Sequence, residues 1–498
     1  MSENNIPARV RFAPSPTGHV HLGSARTALY DYLLARQTGG QFILRIEDTD
    51  RKRYVEGAEE EIMSTLRWLG IEWDEGPDVG GPYGPYRQSE RKEIYLDYAK
   101  QLVESGHAYY CFCTPERLTE MRQEQQERKE NYRYDGTCRN IDPTEAAARV
   151  ANGEPHVIRF KTPLTGTTTV KDELRGEITI DNHLIDDYVL VKTDGWALYH
   201  LAAMVDDHLM KITHVIRGSE WLSTFPLHCL LIRAFGWEEP KWVHLSVFLK
   251  PSGKGKMSKR DTAELAKDGY SIFLKDMEGL GYLPEAVVNW VSLMGWSYDD
   301  HTEFFTMKDL IEKFGLERLN PSPAAINFTK FDHFNGLHIR NLASADLAQR
   351  LVPFFEKTGY KVDFNVLLKI IPILQERIAT LEEAPDMAGF FFRDEVHPVP
   401  QELVAKGLTA KDSAAIAEKC LKELQKLDTI QKDVAEPHMR EVVEQMGYSA
   451  GQVFGIMRVA ITGQKVSPPL FEGMEIIGKD KVFSRLENAV KLLKELDS

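Results

Sequence analysis

The chain has 498 residues, too many for a single core at roughly 100–200 residues per domain, so several units are expected. Apolar residues at 43% and charged residues at 27% exclude a disordered or fibrous chain. A net charge of -14 excludes indiscriminate nucleic-acid binding, because each phosphate contact needs a local cation; any RNA site must be a local patch. The opening "MSENNIPARVRF" lacks a signal-peptide stretch and no run approaches the ~18 apolar residues of a membrane span, so a cytoplasmic protein is expected. Five cysteines, only Cys111 and Cys113 close together, do not make a disulfide framework and are expected to be reduced.

In chain order, "ARVRF" predicts a short buried strand and "PSPTG" a turn. Leu22, Ala25, Leu29 and Leu33 form the apolar stripe of a helix that stops at Gly39-Gly40. "QFILRIED" predicts a second strand. Strand, turn, helix and strand within about forty residues make a βαβ unit and hence a parallel sheet. Ligands of such sheets bind beyond the carboxyl ends of the strands, where "APSPTGHVHLG" leaves the first strand. The helix start there offers unpaired backbone N–H groups suited to phosphate, and Gly18 and Gly23 would let the backbone approach a ligand.

Charge-rich helical text from about 56 to 105 leads into "CFCTPERL", and "KTPLTGTTTVKDELRGEITI" then predicts a β-containing insertion to about residue 190. Strands are expected again around 212–217 and 243–249. Beyond 260 the strands fade, and from Ser344 onward the period is helical, as in Leu486, Ala489, Val490 and Leu493. Ser467-Pro468-Pro469 reads as a loop between helices.

Two clusters carry chemistry. "HVHLGS" puts His19 and His21 just before a helix N-terminus, where imidazole N–H groups could donate to oxygens that gain charge in phosphoryl transfer. "KPSGKGKMSKR", residues 250–260, holds five cations and no acid on a glycine-rich stretch; alone it would read as a solvated loop. The region has no Walker A pattern, so the usual ATPase loop is not supported.

"HLGS" (21–24) resembles the His-Ile-Gly-His signature of class I aminoacyl-tRNA synthetases, and "KMSKR" (256–260) resembles their Lys-Met-Ser-Lys-Ser loop. "RFAPSPTGHVHLG", "RIEDTDRKR", "WDEGPDVGGPYGPYRQSER" and "MVDDHLMKITHVIRG" narrow the resemblance to bacterial-type glutamyl-tRNA synthetases, from about residue 8 to the last helix. The Pro14-Ser15-Pro16-Thr17-Gly18 form of the first motif favours glutamate over the glutaminyl relative.

The resemblance implies an α/β fold: a Rossmann-type class I catalytic domain with an α/β insertion, followed by an all-α C-terminal anticodon-binding region. The expected segments are 1–105 and 196–255 for the two catalytic halves, 106–195 for an inserted acceptor-binding domain, 256–335 for the KMSKR loop and stem-contact helices, and 336–498 for the anticodon-binding region. It implies activation of L-glutamate by ATP with magnesium to glutamyl-adenylate, and transfer to the terminal adenosine of tRNA(Glu). The alternative is a non-discriminating form that also charges tRNA(Gln). A monomer without membrane contact is expected.

Carried over residue by residue, His19, His21, Lys256 and Lys259 are the expected catalytic groups, with His21, Gly23, Ser24, Lys256, Ser258 and Lys259 binding ATP. Ser24 departs from the signature's second histidine. Arg11, Ser15, Glu47, Tyr199 and Arg217 fall on glutamate-binding positions, Glu47 suiting the ammonium and the two arginines the carboxylates. Arg377 in "LQERIATL" resembles the arginine that discriminates at the last anticodon base. Some relatives hold zinc at the positions of Cys111, Cys113 and Cys138 with a fourth ligand two residues later; here that residue is Asn140, a poor zinc ligand, so a metal-free insertion is expected.

Overall fold

Two short strands open the chain and pair in parallel, β1 (Arg9–Phe12) and β2 (Gln41–Leu44), with Val10 opposite Phe42 and Phe12 opposite Leu44. The computed structural model describes residues 6–497, apart from the side chain of Lys259. Helix α1 (Leu22–Thr38) connects the strands, burying Leu22, Ala25, Leu29 and Leu33 as its apolar spacing requires. It ends where Gly39 turns left-handed at φ 68°. Next to it, a Cβ on Gly40 would lie 1.9 Å from the Ala8 carbonyl oxygen, so only glycine lets β2 leave the helix this close to β1.

The helical text expected from 56 to 105 is interrupted. Helix α2 (Ala58–Trp68) and α3 (Lys92–Glu104) are separated by turns, because "GPDVGGPYGP" supplies residues that cannot continue a helix. Next come β3 (Ala108–Cys111), α4 (Pro115–Glu127), α5 (Pro143–Ala151), β4 (Val157–Phe160), β5 (Thr167–Asp172), β6 (Gly176–Asp181) and β7 (Val189–Val191). Strands β3, β4 and β7 form an antiparallel sheet. The β5–β6 hairpin belongs elsewhere: it extends a four-stranded sheet of order β6-β5-β9-β8.

The last two strands of that sheet belong to a second βαβ unit. After α6 (Tyr199–Leu209), strand β8 (His214–Gly218), helix α7 (Phe225–Ala234) and β9 (Lys241–Leu245) follow, with Arg217 registered opposite His244 in the parallel pair. Thr213 N–H donates to the Arg9 carbonyl at 2.8 Å, bringing the start of β8 beside β1. Asp172, at the end of β5, pairs with Trp242 of β9. The expected fading of strands beyond 260 has one short exception, since β10 (Phe248–Leu249) pairs in parallel with β11 (Ala324–Ala325).

Contacts group residues up to Met277 with Val287–Phe328 as one unit, and Glu278–Ala286 with the chain from Thr329 as another. From Ser344 the second unit is helical, with helices including Ala410–Gln425, Ala450–Thr462 and Lys479–Asp497. Its core includes Cys420, Met439, Ile456 and Met474, together with the Leu486, Ala489, Val490 and Leu493 stripe. Ser467-Pro468-Pro469 lies between the helices Ala450–Thr462 and Leu470–Ile477. Among the described residues, no helix is long and apolar enough to cross a membrane.

Candidate functional site

A cavity of about 1120 Å³ opens beyond the carboxyl ends of β1, β8 and β9, where a parallel sheet presents its ligand-binding edge. Its walls include Arg11, Ser15, Glu47, Tyr199 and Arg217. They also include His19, His21, Gly23, Ser24, Lys256 and Ser258. The side chain of Lys259 lies outside the described residues.

The arginine end is built on buried charge. Arg11, expected to clamp a substrate carboxylate, donates from Nε and Nη2 to the two carboxylate oxygens of Asp207, at 2.9 and 3.3 Å. The same Asp207 accepts from Nη1 of Arg45 at 2.7 Å. Burial pushes the Asp207 carboxyl up, but the Arg11 and Arg45 guanidiniums more than offset it and hold it below the usual range. Two of the five donors of Arg11 are therefore engaged. Glu47 accepts from Nη2 of Arg45 at 3.1 Å, and its burial pushes it up to about 7 against the pull of Arg45 and Arg11. Its neighbour Asp48 accepts from the Ser89 N–H at 2.7 Å.

Tyr199 opens α6 and stacks on Trp221, ring centroids 4.1 Å apart. Arg217 has a different environment from Arg11: it donates to ring nitrogens of His228 and His244 and, among the described residues, pairs with no carboxylate.

At the other end, His21 is the N-cap of α1. Its Nδ1 accepts from the N–H groups of Gly23 and Ser24 at 3.1 and 3.3 Å. These two donors, expected to be available for phosphate, are thus taken by the imidazole. A Cβ on Gly23 would meet the His21 ring at 3.0 Å, so glycine also leaves room for the cap. With Nδ1 accepting, the neutral ring carries its proton on Nε2, whose neighbour is the Ser24 hydroxyl at 3.4 Å. His19 is exposed, and its Nδ1 pairs with Glu61 at 2.8 Å.

The cationic loop leaves β10. Lys250 N–H donates to the Gly255 carbonyl, and Gly253 and Gly255 adopt the positive φ the turn requires. Asp261, just outside the acid-free stretch, accepts from Lys250 Nζ at 2.6 Å and from the Ser258 hydroxyl at 2.7 Å. The patch is therefore partly neutralised at its base, while Lys256 remains exposed.

In the insertion, the sulfurs of Cys111, Cys113 and Cys138 lie within 4.8 Å of one another. Asn140 is exposed. The fourth polar atom is instead the Tyr134 hydroxyl, 3.4 Å from the Cys111 sulfur and 3.3 Å from that of Cys113. Three sulfurs and one oxygen at these separations fit a tetrahedral ion with metal–sulfur distances of about 2.3 Å. Arg117 also donates to the Cys113 sulfur, supplying a positive charge beside the thiols. The Asn140 position does not decide the metal question as the spacing suggested.

Arg377 is exposed in the turn after the helix Phe364–Leu374, within electrostatic reach of Arg458 and Glu472. Arg458 in turn donates to the Ser467 hydroxyl at 2.6 Å and the Pro468 carbonyl at 2.9 Å, so the Ser-Pro-Pro loop, buried at Ser467 and Pro468, anchors Arg458.

Sequence reasoning missed Arg45, Asp207, Trp221, His228 and His244. Asp206-Asp207 on an otherwise apolar helix was a usable signal, since adjacent buried acids require cationic partners.

The family described as tRNA synthetases class I (E and Q), catalytic domain, matches residues 7–333, and an anticodon binding domain family matches 346–490. A glutamate–tRNA ligase of Dehalococcoides mccartyi (strain 195) is 45% identical over 495 residues, covering 98% of this chain and 99% of its own. One from Chloroflexus aurantiacus is 44% identical, with 100% of both chains covered. The crystal structure of a glutamate tRNA ligase from Elizabethkingia meningosepticum in complex with its amino acid superposes with a TM-score of 0.88 at 37% identity, covering 98% and 99% of the two chains.

Proposed function

Because this chain belongs to the class I tRNA synthetases for glutamate and glutamine, we propose a division of labour within its cavity for attaching glutamate to tRNA(Glu). It is a ligase with a class I catalytic domain and a helical anticodon-binding domain. In the first step the α-carboxylate of glutamate attacks the α-phosphorus of ATP, forming the adenylate and releasing pyrophosphate. In the second, the ribose of the tRNA's terminal adenosine takes the glutamyl group and AMP leaves. No protein nucleophile is required, so the residues act by positioning and charge stabilisation.

Arg217 takes the side-chain carboxylate of glutamate, Glu47 takes the ammonium, and the remaining donors of Arg11 with Ser15 and Tyr199 hold the rest of the amino acid. At the phosphate end His21 donates from Nε2 and Lys256 supplies charge as pyrophosphate departs. His19 and Lys259 join them on resemblance alone. The backbone N–H groups of Gly23 and Ser24 act indirectly, by fixing the His21 ring. ATP arrives with its magnesium. The observation that carries this assignment is Arg217, a buried cation lining the cavity with no carboxylate hydrogen-bonded to it among the described residues.

Cys111, Cys113, Cys138 and Tyr134 would hold a structural zinc ion, contrary to the expectation based on Asn140. We read the protein as a cytoplasmic monomer that discriminates against tRNA(Gln) through Arg377. The test is attachment of labelled glutamate to purified tRNA(Glu) and tRNA(Gln) side by side. Charging of tRNA(Glu) alone supports discrimination, charging of both assigns the non-discriminating form, and charging of neither overturns the functional reading.

A further inference from the structure

Arg217 is 5% exposed and held by two imidazoles from different elements. Its Nε–H donates to Nε2 of His244 on β9 at 2.9 Å, and its Nη2–H to Nδ1 of His228 on α7 at 3.0 Å. A guanidinium has no acceptor, so both ring nitrogens must be unprotonated. That requirement fixes the rest of the chain of bonds. His244 carries its proton on Nδ1 and donates to Asp172 Oδ2 at 2.7 Å. His228 carries its proton on Nε2 and donates to Nδ1 of His200 on α6 at 2.9 Å. A doubly protonated His244 would set its own N–H against that of Arg217.

Asp172 is anchored as firmly as the rings it orients. Its Oδ1 accepts from the N–H groups of Leu174 and Arg175 at 3.0 and 2.8 Å, and its Oδ2 also accepts from the His244 N–H at 3.0 Å. Asp172, His228 and His244 are each 0% exposed. Burial, reinforced by the charge of Arg217, holds His200 and His228 below the usual histidine range.

The contrast with Arg11 and Arg45 is one of charge. Arg11 pairs with Asp207, and Arg45 with Asp207, Glu47 and Asp206, whereas Arg217 is satisfied by uncharged acceptors. Its Nη1 is buried without a hydrogen-bond partner. The Trp242 ring lies 4.8 Å from the guanidinium carbon, and Tyr199, Arg11 and Asp207 act on it electrostatically.

We propose that Asp172, His244, His228 and His200 form a positioning relay that holds Arg217 in place without neutralising it, so that the pocket requires an anionic side chain on its amino acid. This rests on reading the cavity as the glutamate site. A carboxylate in place of either imidazole would hold the guanidinium equally well while supplying the charge that the substrate must bring. An uncharged carboxamide would then no longer be at a disadvantage. The relay residues would thus determine specificity without touching the substrate.

The test compares wild type with His228→Asn, which keeps a neutral acceptor, and His228→Asp, which adds a carboxylate, in aminoacylation of tRNA(Glu). His228→Asp should raise the KM for glutamate about tenfold or more, since a charge-assisted hydrogen bond to substrate is lost, with kcat and the KM for ATP within about threefold. His228→Asn should stay within about threefold of wild type on all three. Inhibition by glutamine should strengthen relative to glutamate in His228→Asp only. Should His228→Asp fail to fold, Asp172→Asn, which offers an N–H to His244 and so the wrong tautomer, must raise the glutamate KM while sparing that for ATP. Equal glutamate KM values for His228→Asp and His228→Asn, or kcat falling in parallel for both, would overturn the relay. A wild-type chain that does not use glutamate at all overturns the underlying reading of the site, an outcome the variants are not needed to reveal.

Discussion

Asp207 holds Arg11 by two points, Nε to Oδ1 at 2.9 Å and Nη2 to Oδ2 at 3.3 Å, across 196 residues of sequence. The same carboxylate engages Arg45, and all three side chains are buried. Asp207→Asn leaves the buried Arg11 without its carboxylate partner, and Arg45 with only Glu47 and Asp206, and should destabilise the N-terminal unit by about 3–5 kcal/mol in denaturant unfolding. The sign with pH follows from the depressed carboxyl: its stabilisation is present above the unfolded-state pKa and is lost as pH falls through the folded value. The gap between wild type and Asp207→Asn should close in acid, and a gap that persists there would refute the ion-pair account.

Glu47 is buried beside Arg45 in the cavity wall. Burial pushes it up to about 7, so the carboxylate that would receive the glutamate ammonium is partly protonated below that value and ionised above it. The KM for glutamate should fall as pH rises through about 7, and Glu47→Gln should flatten that dependence while raising KM about tenfold. An unchanged pH slope in Glu47→Gln would assign the titration to another group.

His21 combines a helix cap at Nδ1 with a second ring nitrogen beside the Ser24 hydroxyl, and two substitutions separate the two. His21→Ala removes both and should cost about 1 kcal/mol of stability together with a large loss of kcat. His21→Asn restores an accepting oxygen at the cap, so it should recover the stability and leave kcat depressed. Recovery of kcat by asparagine would mean that capping alone explains the histidine.

The cysteine cluster predicts a metal content. The chain purified without chelator should carry about one zinc ion, and Tyr134→Phe or Cys113→Ser should lower the occupancy. Absence of zinc from a chain that charges tRNA normally would leave the insertion held by thiol and phenol hydrogen bonds alone.

The β1–α1–β2 unit was legible because its signals are local: an apolar stripe at helical spacing, then Gly39-Gly40. The cavity was legible for the same reason, since its turn and its cationic loop each lie within about a dozen residues of sequence. The partners of Arg11 and Arg217 were not, because pairings across 196 and 27 residues leave no trace in periodicity. Nor does a Thr-rich hairpin reveal that its edge will join β9, which is what brings Asp172 to His244. Tyr134 was missed because the zinc reading counted spacings and considered only nitrogen and sulfur donors. The break between α2 and α3 was signalled by its prolines and glycines, and charge-rich text on both sides obscured it.

The contact between Lys250 and Asp261 makes the cationic loop a tether. With both ends fastened, Lys256 can roam only a small volume, so most of the chain entropy of bringing it to the phosphates is lost on folding rather than in each turnover. To a triphosphate in the cavity this lysine would behave as a reagent at an effective concentration in the millimolar range or above. Lengthening the stretch between Gly253 and Gly255 would dilute that reagent without altering any group that touches ATP.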